Sequence, residues 1–501
     1  MELHERIFEL ALNRSIFMPS NEVYGSVSGF YDYGPIGFQI KKNLEDLWRK
    51  KFIVEEGFLE LQGTVVTPEI VLKASGHVDE FTDPVVSCNK CGVKVRADHL
   101  VEKELKVKWD MKLASLDKLI RDNGIKCPSC GGGLSDAYNT NLMFETGIGA
   151  DYAKAFLRPE TAQGIFTSFP RVFRNQGAKL PLAVGQIGRS FRNEISPRKG
   201  LVRMREFTQM ELEYFFNPSK PEFEGFDEAK EKKLRMVKRG EEEPAWMTGK
   251  ELVAQGIANQ IMAYFLLKEW EYYVDAGLNP EKMWFRHLEE DETPHYSKSN
   301  VDLEVESSYG VVEVAGNAYR TDYDLSRHQE FSGKDLRVFL QEEGEKLLPH
   351  VVEVSMGTDR MLFCLLEHAF REKSEGKEWE WFDLPPAVAP YEVAVFPLMK
   401  KPELRGPAKE LAFDLREEGI NTQFSSVGSI GKRYARADEV GVVASITIDY
   451  DTLEDKTVTL RYRNTGEQVR IRTSQITELI KRFRRGENWE KIKPDYKSFG
   501  Q

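Results

Sequence analysis

The sequence is poor in cysteine and has no long apolar segment. Only five of its 501 residues are cysteine, which is too few for a disulfide framework. No apolar run approaches the ~20 residues that a membrane-spanning helix needs. The segment from Met1 to Arg6 lacks the basic-then-apolar layout of a secretory signal. We therefore expect a cytoplasmic protein without a membrane partner.

Three common functional motifs are also missing. The phosphate-binding pattern G-x-x-x-x-G-K-[ST] does not occur, and its nearest approach, Gly428 to Lys432, is too short. A complete G-x-G-x-x-G and an H-E-x-x-H are absent as well. If the protein uses ATP, it must do so through another architecture.

The charge is unevenly distributed along the chain. The net charge of −11 argues against general affinity for nucleic acid, because phosphate contacts supply most non-specific binding. However, residues 389–501 contain 20 Lys and Arg against 17 Asp and Glu, net +3, so the preceding part is net −14. A mildly basic C-terminal module on an acidic body is compatible with an RNA partner held at a defined place.

The length and the proline-rich segment 383–390 predict more than one domain, because single cores stop growing near ~250–300 residues. We expect a larger domain over 1–385, with insertions at 86–136 and 217–300, and a smaller one over 390–501. Within the second insertion, 217–250 is charge-dense and predicts a solvated connector, and a helix follows near 251–275. Between 391 and 448 strands and helices alternate, which is typical of an α/β domain.

Three polar segments, 186–194, 202–211 and 351–360, interrupt apolar stretches. Period-two alternation on both sides of a loop predicts an antiparallel hairpin over 186–216, and a third strand turns into a helix near Thr358. Because side chains alternate between the faces of a strand, charged groups line up on one face, which indicates an enzyme site rather than a core. The residues expected there are Arg192, Glu194, Arg205, Phe207, Gln209, Glu211, Glu353, Ser355 and Gly357.

Four of the cysteines form two C-x-x-C pairs, Cys88 with Cys91 and Cys127 with Cys130, with 35 residues between the pairs. Such pairs fit a tetrahedral structural zinc site. The separation exceeds the usual ~15–20 residues, so we expect a helix between them. A redox dithiol and a metal-free module remain as alternatives. Cys364, in an apolar run, is expected to be a small buried hydrophobe.

The polar segments resemble the motifs of class II aminoacyl-tRNA synthetases. Arg192-Asn193-Glu194 and Arg205-Glu206-Phe207 resemble motif 2, Gly357 to Arg360 resembles motif 3, and Pro68 with its flanking helix and strand looks like motif 1. Longer stretches resemble the dimeric, single-polypeptide glycyl-tRNA synthetases. These stretches are Gly29 to Pro35, Ala74 to His77, Arg158 to Gly164, and Ser190 to Arg198.

This resemblance implies an α+β fold: an antiparallel-sheet catalytic domain with a zinc-ribbon-like insertion, followed by a C-terminal α/β anticodon-binding domain. It implies that ATP, with Mg²⁺, activates glycine to glycyl-adenylate, and that glycine then passes to the 3′-terminal ribose of tRNA(Gly). A homodimer is expected, since motif 1 builds the interface in this family.

The resemblance also implies roles for particular residues. Arg192 and Arg360 would be catalytic, with Arg192 on the α-phosphate and the glycine carboxylate, and Arg360 on the γ-phosphate at a helix N-terminus. Phe207 offers a stacking face to adenine, and Glu194 and Glu313 suit the adenine amino group or Mg²⁺. The implied ATP-binding set is Arg192, Asn193, Glu194, Val202, Arg203, Met204, Arg205, Glu206, Phe207, Glu313, Val314, Gly357, Thr358, Asp359 and Arg360.

For glycine, the resemblance places Glu160, Glu211 and Glu353 around the ammonium, with Ser355 nearby and Arg320 facing the carboxylate. Steric exclusion of larger amino acids would make an editing site unnecessary. The implied glycine-binding set is Arg96, Glu160, Phe207, Thr208, Gln209, Met210, Glu211, Arg320, Glu353, Val354, Ser355, Met356 and Gly357. The residues alone give little support to Arg96, which follows a cysteine pair and equally suits a structural role.

Two alternatives remain at this stage. One is a class II synthetase for serine, threonine, histidine or proline, against which the acidic set for the ammonium argues. The other is a non-catalytic descendant that only binds nucleic acid. Such a protein would be expected to lack the ATP-binding arginines, whereas Arg192 and Arg360 are both present.

Overall fold

The computed structural model describes residues 2–107, 112–195, 197, 200–293, 297–341, 343–374 and 377–498. Arg198, the last residue of one resembling stretch, lies outside the described residues. Within these ranges no helix combines the length and the apolar character that crossing a membrane requires.

The described helices are distributed along the chain, and the first of them precedes the first described strand. They are α1 Leu3–Asn13, α2 Pro35–Arg49, α3 Glu69–Ala74, α4 His77–Glu80, α5 Ala97–Leu105, α6 Leu113–Asp122, α7 Ala162–Asn175, α8 Phe226–Ala229, α9 Gly249–Ala254, α10 Gln260–Ala276, α11 Tyr323–Ser332, α12 Thr358–Ala369, α13 Pro402–Glu417, α14 Ile430–Glu439, α15 Tyr450–Asp455, α16 Ile476–Arg484 and α17 Trp489–Ile492.

The described strands belong to several separate sheets. They are β1 Phe17–Pro19, β2 Tyr31–Tyr33, β3 Leu59–Glu60, β4 Val66–Pro68, β5 Thr82–Ser87, β6 Lys94–Arg96, β7 Tyr138–Asn141, β8 Phe144–Ile148, β9 Ala153–Leu157, β10 Leu182–Phe191, β11 Glu206–Phe216, β12 Lys233–Val237, β13 Ala245–Thr248, β14 Met283–His287, β15 Ser299–Ser307, β16 Gly310–Thr321, β17 Val338–Leu340, β18 Glu345–Leu347, β19 His350–Gly357, β20 Phe370–Arg371, β21 Trp381–Phe382, β22 Val393–Pro397, β23 Thr422–Phe424, β24 Ala444–Ile448, β25 Thr457–Tyr462, β26 Gln468–Arg472 and β27 Lys497–Ser498.

The centre of the larger unit is a nine-stranded sheet in the order β13-β12-β14-β15-β16-β19-β11-β10-β3. Its neighbours pair antiparallel, except β10 with β3 and β12 with β14. The β10–β11 pair is the expected hairpin, in whose register Gln186 faces Glu211. Because β10 ends at Phe191, Arg192 and Glu194 lie in the loop beyond the strand rather than on it.

Helices α2, α10 and α12 pack against the apolar face of this sheet. The longest of them, α10, is buried on most sides, with Phe265, Tyr272 and Tyr273 fully inaccessible. The side chain of Asn259 caps its first turn by accepting a hydrogen bond from the backbone N–H of Met262. The opposite face of the central strands is therefore left for polar side chains.

Residues 217–250 are not the solvated connector that their charge density predicts. They supply β12 and β13, which extend the sheet at its edge, and Leu234 and Met236 are fully buried on the inner face of β12. The single helix expected near 251–275 is two helices, α9 and α10, because the chain turns at Gly256 with a φ of +70°. The stretch 217–300 thus contributes strands as well as helices.

The cysteine-bearing insertion is a small lobe with its own core. Strand β5 pairs with both β6 and β7, and α5 and α6 pack over them through Leu100, Val101, Leu116 and Ile120. The helical segment expected between the cysteine pairs is therefore present as two helices. The predicted insertion, residues 86–136, lies between the segments of β5 and β7 that pair with each other.

The C-terminal unit is built on a six-stranded sheet in the order β23-β22-β24-β25-β26-β27. Strand β22 runs parallel to β23 and β24, with α13 and α14 in the crossovers, as the alternation predicts. The remaining strands are antiparallel. The two units are joined through β21 and the proline-rich segment.

A buried arginine of the C-terminal unit fastens this junction. Arg463, 3% exposed, donates to the carbonyls of Leu384 at 2.9 Å and Gly441 at 2.8 Å, and to Asp383 at 2.7 Å. Its guanidinium also lies 5.5 Å from the ring centre of Trp381. Asp383 is partly exposed and also pairs with Arg371 at 3.1 Å, whereas Leu384 and Gly441 are buried.

Replacing this arginine tests the junction. Arg463→Met should lower the melting temperature by more than about 5 °C, because removing one partner of a buried ion pair costs about 3–5 kcal/mol. The exposed Arg472→Met is the matched control and should change little. Differential scanning calorimetry measures both, and an unchanged transition in Arg463→Met would contradict this account of the junction.

Candidate active site

A cavity of about 290 Å³ lies over the polar face of β11, β16 and β19. Three carboxyl groups, those of Glu160, Glu211 and Glu353, lie at one end of it. Arg192 and Arg360 also line it: Arg360 is in the first turn of α12, and Arg192, in the loop after β10, donates to the carbonyl of Pro159 at 3.2 Å. We call the three acids the acidic end of the cavity, and Arg192, Phe207 and Arg360 its basic end.

The strand register fixes the acidic end. Glu211 on β11 lies opposite Ser355 on β19, and Ser355 lies opposite Gly316 on β16. Glu353 is two residues before Ser355 and therefore shares its face. Glu160 reaches the same place from the segment between β9 and α7. The alternation of side chains thus brings together acids that are distant in sequence.

Glu211 is held by three donors. It accepts hydrogen bonds from the hydroxyl of Thr161, from the Ser355 hydroxyl at 2.9 Å and from the side-chain amide of Gln209 at 3.2 Å. The residue is 1% exposed. Its carboxyl group is therefore fixed in orientation before any ligand arrives.

Glu160 and Glu353 have basic neighbours. Glu160 accepts from the side-chain amide of Gln163 at 2.8 Å and lies 3.3 Å from Nε2 of His77. Glu353 accepts from Nη1 of Arg320 at 2.8 Å. Arg320 is in turn bound by both carboxylate oxygens of Asp324 at 2.7 and 2.9 Å. Arg320 therefore supports Glu353 from behind the cavity.

The pKa values of the three acids differ because their neighbours differ. Burial opposes ionisation of Glu160, but His77 and Arg320 outweigh it and lower its pKa. Burial, followed by repulsion from the other two acids, raises the pKa of Glu211 to about 8. Burial also raises the pKa of Glu353, against the attraction of Arg320. A cation placed among these groups would favour their ionised forms.

The basic end presents two guanidinium groups and one aromatic face. The guanidinium carbon of Arg192 lies 5.3 Å from the ring centre of Phe207. Arg360, in the first turn of α12, donates to the carbonyls of Val202 at 3.0 Å and Glu313 at 2.8 Å. Fixed positive charge beside an aromatic face suits a nucleotide with its phosphates.

The loop between β10 and β11 is braced by its own charges. Arg203 donates to the carboxylate of Glu194 at 2.6 Å. Arg205 donates to the backbone carbonyl of Glu194 at 3.1 and 2.9 Å and to that of Ser28 at 2.8 Å. The segment Gly29 to Pro35 therefore begins next to this loop.

Most of the residues that the sequence predicts for the site do line the cavity. They are Glu160, Arg192, Glu194, Val202, Arg203, Met204, Phe207, Gln209, Glu211, Glu313, Val314, Glu353, Ser355, Gly357, Asp359 and Arg360. The predicted residues that are not among its described lining are Arg96, Asn193, Arg205, Glu206, Thr208, Met210, Arg320, Val354, Met356 and Thr358.

The second group has a geometric explanation. Met210, Val354 and Met356 occupy the alternate positions of their strands and are packed in the apolar core. Arg96 lies in the cysteine-bearing lobe and pairs with Asp83 at 2.9 Å and with Asp98 at 2.5 Å. A direct ligand contact by these residues stays a prediction.

The structure also adds residues that the sequence analysis does not single out. They are Leu201, Leu288, Asn300, Asp302, Ala315, Gly316 and Ala318. Asn300 and Asp302 pair with Ala318 and Gly316 across β15 and β16. The alternation of β15, read against the small residues of β16, is the signal that could have found them.

The four paired cysteines converge in the insertion. Their Sγ atoms all lie within 4.8 Å of one another, with Cys88 and Cys130 at 3.5 Å and Cys91 and Cys127 at 3.7 Å. A tetrahedral metal with bonds of about 2.3 Å to sulfur needs edges of roughly 3.8 Å. The backbone N–H of Cys91, followed by that of Lys90, lowers the pKa of Cys88 to about 6, whereas its hydrogen bonds with the other thiols raise the pKa of Cys130.

Two family models match the chain. The model described as "tRNA synthetase class II core domain (G, H, P, S and T)" matches residues 145–238. The model described as "Anticodon binding domain" matches residues 392–483. The first range contains β10 and β11, and the second contains most of the C-terminal unit.

Curated relatives match almost the whole chain. The glycine–tRNA ligase of Methanocaldococcus jannaschii is 38% identical over 96% of this chain and 99% of its own length. That of Pyrococcus horikoshii is 39% identical over 95% of this chain and 98% of its own length. Among solved structures, the prolyl-tRNA synthetase of Cryptosporidium parvum matches with a TM-score of 0.58 at 14% identity, over 96% of this chain and 77% of that chain. This last likeness shows the fold alone.

The raised pKa of Glu211 predicts a pH-dependent effect of Glu211→Gln. Because the folded pKa is about 8 against an ordinary 4.5, the folded state holds a proton that the unfolded state loses, and stability falls as pH rises through this window. The variant removes this cost, which is on the order of a few kcal/mol. Its melting temperature relative to the parent should therefore rise between pH 5 and pH 8.5.

The exposed Glu410→Gln is the control, and its difference from the parent should not depend on pH. Melting curves of both variants over this range provide the measurement. A Glu211→Gln difference that is constant with pH, or that shrinks as pH rises, would contradict the assigned charge state.

Proposed function

The chain belongs to the glycine–tRNA ligase family of class II aminoacyl-tRNA synthetases and ligates glycine to tRNA, and we propose that glycine and ATP react in the cavity over β11, β16 and β19. One observation carries this proposal. Three carboxyl groups surround one end of a cavity whose other end presents Arg192, Phe207 and Arg360. A small ammonium and a triphosphate are thus complementary to its two ends.

The acidic end is proposed to hold the ammonium of glycine. Glu160, Glu211 and Glu353 converge there, and burial leaves their negative charge only partly compensated by protein cations. An ammonium supplies the missing charge and three N–H donors. Larger amino acids share this ammonium, so their rejection must come from the shape of the pocket, which can exceed the ~1–3 kcal/mol that a single methylene gains in a hydrophobic pocket.

Arg320 is proposed to act through Glu353 rather than on glycine. Its guanidinium is bound by Asp324 and Glu353, and the residue is 3% exposed. Arg192 lines the cavity and is the guanidinium better placed for the glycine carboxylate. The contact of Arg320 with the glycine carboxylate that the resemblance implies stays a prediction, and its ion pairs support a positioning role.

The basic end is proposed to hold ATP. Phe207 stacks on adenine, Arg360 adds its charge to the N-terminal end of α12 for the γ-phosphate, and Arg192 contacts the α-phosphate. A carboxylate oxygen of glycine attacks the α-phosphorus and pyrophosphate leaves with the bonding electrons. Arg192 stabilises the charge that grows on the phosphoryl oxygens.

In the second step a hydroxyl of the terminal tRNA ribose attacks the carbonyl carbon of glycyl-adenylate. The bond from this carbon to the phosphate oxygen breaks, AMP leaves with the electron pair, and the hydroxyl proton is lost. Positioning and electrostatics account for both steps, and no protein nucleophile is needed.

Class II synthetases use ATP with Mg²⁺. The carboxylates of Glu194 and Glu313 line the basic end of the cavity, and carboxylate oxygens are the ligands that Mg²⁺ prefers. These two residues are proposed to hold it. The ion would neutralise phosphate charge when bound.

The insertion is proposed to hold a structural zinc ion on Cys88, Cys91, Cys127 and Cys130. The sulfur separations and the lowered pKa of Cys88 support this, and four thiolates leave no position open for substrate. The ion would cross-link the two ends of the lobe. It lies outside the proposed reaction.

The C-terminal unit is proposed to bind the anticodon of tRNA(Gly), because the matching family model has that description.

A homodimer is proposed from the resemblance to motif 1. Exposed apolar side chains near that motif support it, with Val54 at 73% and Ile70 at 52% exposure. Light scattering after size-exclusion chromatography measures the molar mass in solution. The mass of two chains would support the dimer, and the mass of one chain would contradict it. A cytoplasmic location is proposed from the sequence.

The assignment is tested by pyrophosphate exchange with single amino acids. Glycine should drive exchange, whereas alanine, serine, threonine, proline and histidine should not. Exchange driven by one of these others and not by glycine would overturn the assigned glycine pocket.

Two variants test the roles of the two ends of the cavity separately. Glu353→Gln should raise the KM for glycine at least about 30-fold with little change in the KM for ATP, because losing a buried charge partner costs about 2–5 kcal/mol. Arg360→Gln should do the reverse, and each variant controls for the other. Steady-state exchange provides the measurement, and equal effects on both substrates in either variant would contradict the division.

The zinc proposal predicts about one zinc ion per chain by elemental analysis. Cys88→Ser with Cys91→Ser should remove most of it and speed amide hydrogen exchange across residues 82–141, while β11 and β19 keep their protection. A parent chain without metal, or a variant lobe that exchanges as slowly as the parent lobe, would overturn it.

A further inference from the structure

The cavity extends past the three acids onto β15. Asn300 and Asp302 line this extension, and neither belongs to the proposed glycine or ATP sets. Across the strand pair they lie opposite Ala318 and Gly316, two positions with little or no side chain. The small residues of β16 therefore leave β15 open to the cavity.

The register shows how far this extension lies from the ammonium pocket. Asp302, Gly316, Ser355 and Glu211 occupy one row across four adjacent strands. With strands about 4.8 Å apart, three steps place the Cα atoms of Asp302 and Glu211 about 14 Å apart. Glycine has a single methylene between its ammonium and its carboxylate. It cannot fill both places.

The Oδ1 of Asn300 and the carboxyl group of Asp302 accept no hydrogen bond from the residues that the structure describes. Asn300 is 8% exposed, and its Oδ1 is buried. A Cβ added at Gly316 would lie 3.5 Å from Oδ1 of Asp302, so this carboxyl group leans over the glycine. Because buried polar atoms are normally paired, the extension is suited to a polar ligand.

A carboxyl group beside a carboxamide suits a ligand with adjacent hydroxyls. An acidic side chain that binds ribose hydroxyls is the arrangement used in dinucleotide sites. The oxygens of the carboxyl group can accept hydrogen bonds from hydroxyls, and the carboxamide can both donate and accept them.

We propose that Asn300 and Asp302 form a subsite for the ribose hydroxyls of the 3′-terminal tRNA nucleotide. The inference rests on the proposed function of the cavity. ATP also carries a ribose, and Glu313 of the proposed ATP set lies near Asp302. Phe207, the proposed adenine contact, lies on β11, three strands away from Asp302 on β15. The ribose of ATP is therefore the alternative that the test must separate from the tRNA ribose. The acceptor ribose must reach the carboxyl carbon of glycine. A ligand on β15 would approach the ammonium pocket along the row through Gly316 and Ser355.

The test separates the two steps of the reaction. Asp302→Ala and Asn300→Ala are assayed for glycine-dependent pyrophosphate exchange and for single-turnover transfer from enzyme-bound glycyl-adenylate to tRNA(Gly). We expect transfer to fall about tenfold to a hundredfold, the loss typical of a hydrogen bond to a charged group, and at least tenfold more than exchange. Retained exchange also reports that the variant is folded.

The matched control is Glu304→Gln. This acid lies two residues along β15 from Asp302, but its carboxylate is bound by Arg286 at 2.8 Å and Trp284 at 2.9 Å and is not part of the described cavity lining. Both steps should stay close to those of the parent. A transfer defect of equal size in Glu304→Gln would assign the effect to β15 as a whole and overturn the subsite.

Altered ribose rings identify the source of the hydroxyls. Two tRNAs are compared, one ending in 2′-deoxyadenosine and one in 3′-deoxyadenosine. The parent should transfer glycine more slowly to whichever of them still accepts it than to the unmodified tRNA. Asp302→Ala should reduce this transfer rate little further. When 2′-deoxy-ATP replaces ATP in pyrophosphate exchange, the exchange rates of the parent and of Asp302→Ala should fall by the same factor.

Loss of discrimination against 2′-deoxy-ATP in Asp302→Ala, or equal falls in exchange and transfer, would place the ribose of ATP in the subsite and overturn the inference. Parental transfer in both alanine variants would also overturn it. If the parent itself shows no glycine-dependent exchange, the proposed function fails instead, so the two failures are distinguishable.

Discussion

Three carboxyl groups, those of Glu160, Glu211 and Glu353, line the acidic end of the cavity. A fourth, that of the fully buried Glu213, and the guanidinium of Arg320 lie near them outside the cavity lining. Burial, followed by repulsion among them, keeps the pKa values of Glu211, Glu213 and Glu353 above the ordinary value. A protein cannot hold such a group fully ionised without a cation. The empty site therefore keeps part of its charge as protons, and a substrate ammonium can replace them.

The backbone around the site is arranged to hold these acids at fixed positions. Arg158, 6% exposed, donates to the carbonyl of Arg189 at 2.7 Å and crosses β10 at Gly188, where a Cβ would lie only 2.1 Å from its guanidinium. This crossing anchors the segment that carries Glu160 two residues later. Gly188 leaves room for this crossing, and the alternation of side chains on β11 and β19 places the other acids. Both features thus fix the positions of the carboxyl groups.

The sequence alone predicted the hairpin, the third strand, the helix at Thr358 and the acids that line one face, because period-two patterns and charges are local signals. The prediction of a solvated connector over residues 217–250 was wrong. The many charged residues there made the segment look exposed, although Leu234 and Met236 are buried where β12 joins the sheet. Asn300 and Asp302 were also missed, because a lining role there depends on the small residues opposite them on β16. Pairing across strands is not visible in the order of residues along one strand.

The charge exchange at the acidic end is tested most directly by counting protons on glycine binding. Calorimetric titration of the protein with glycine near pH 7, in buffers of different ionisation enthalpy, gives the number of protons released. The account predicts a release of about one proton per glycine, because the incoming ammonium lowers the raised pKa values of Glu211 and Glu353. Binding without net proton release, or with proton uptake, would contradict it.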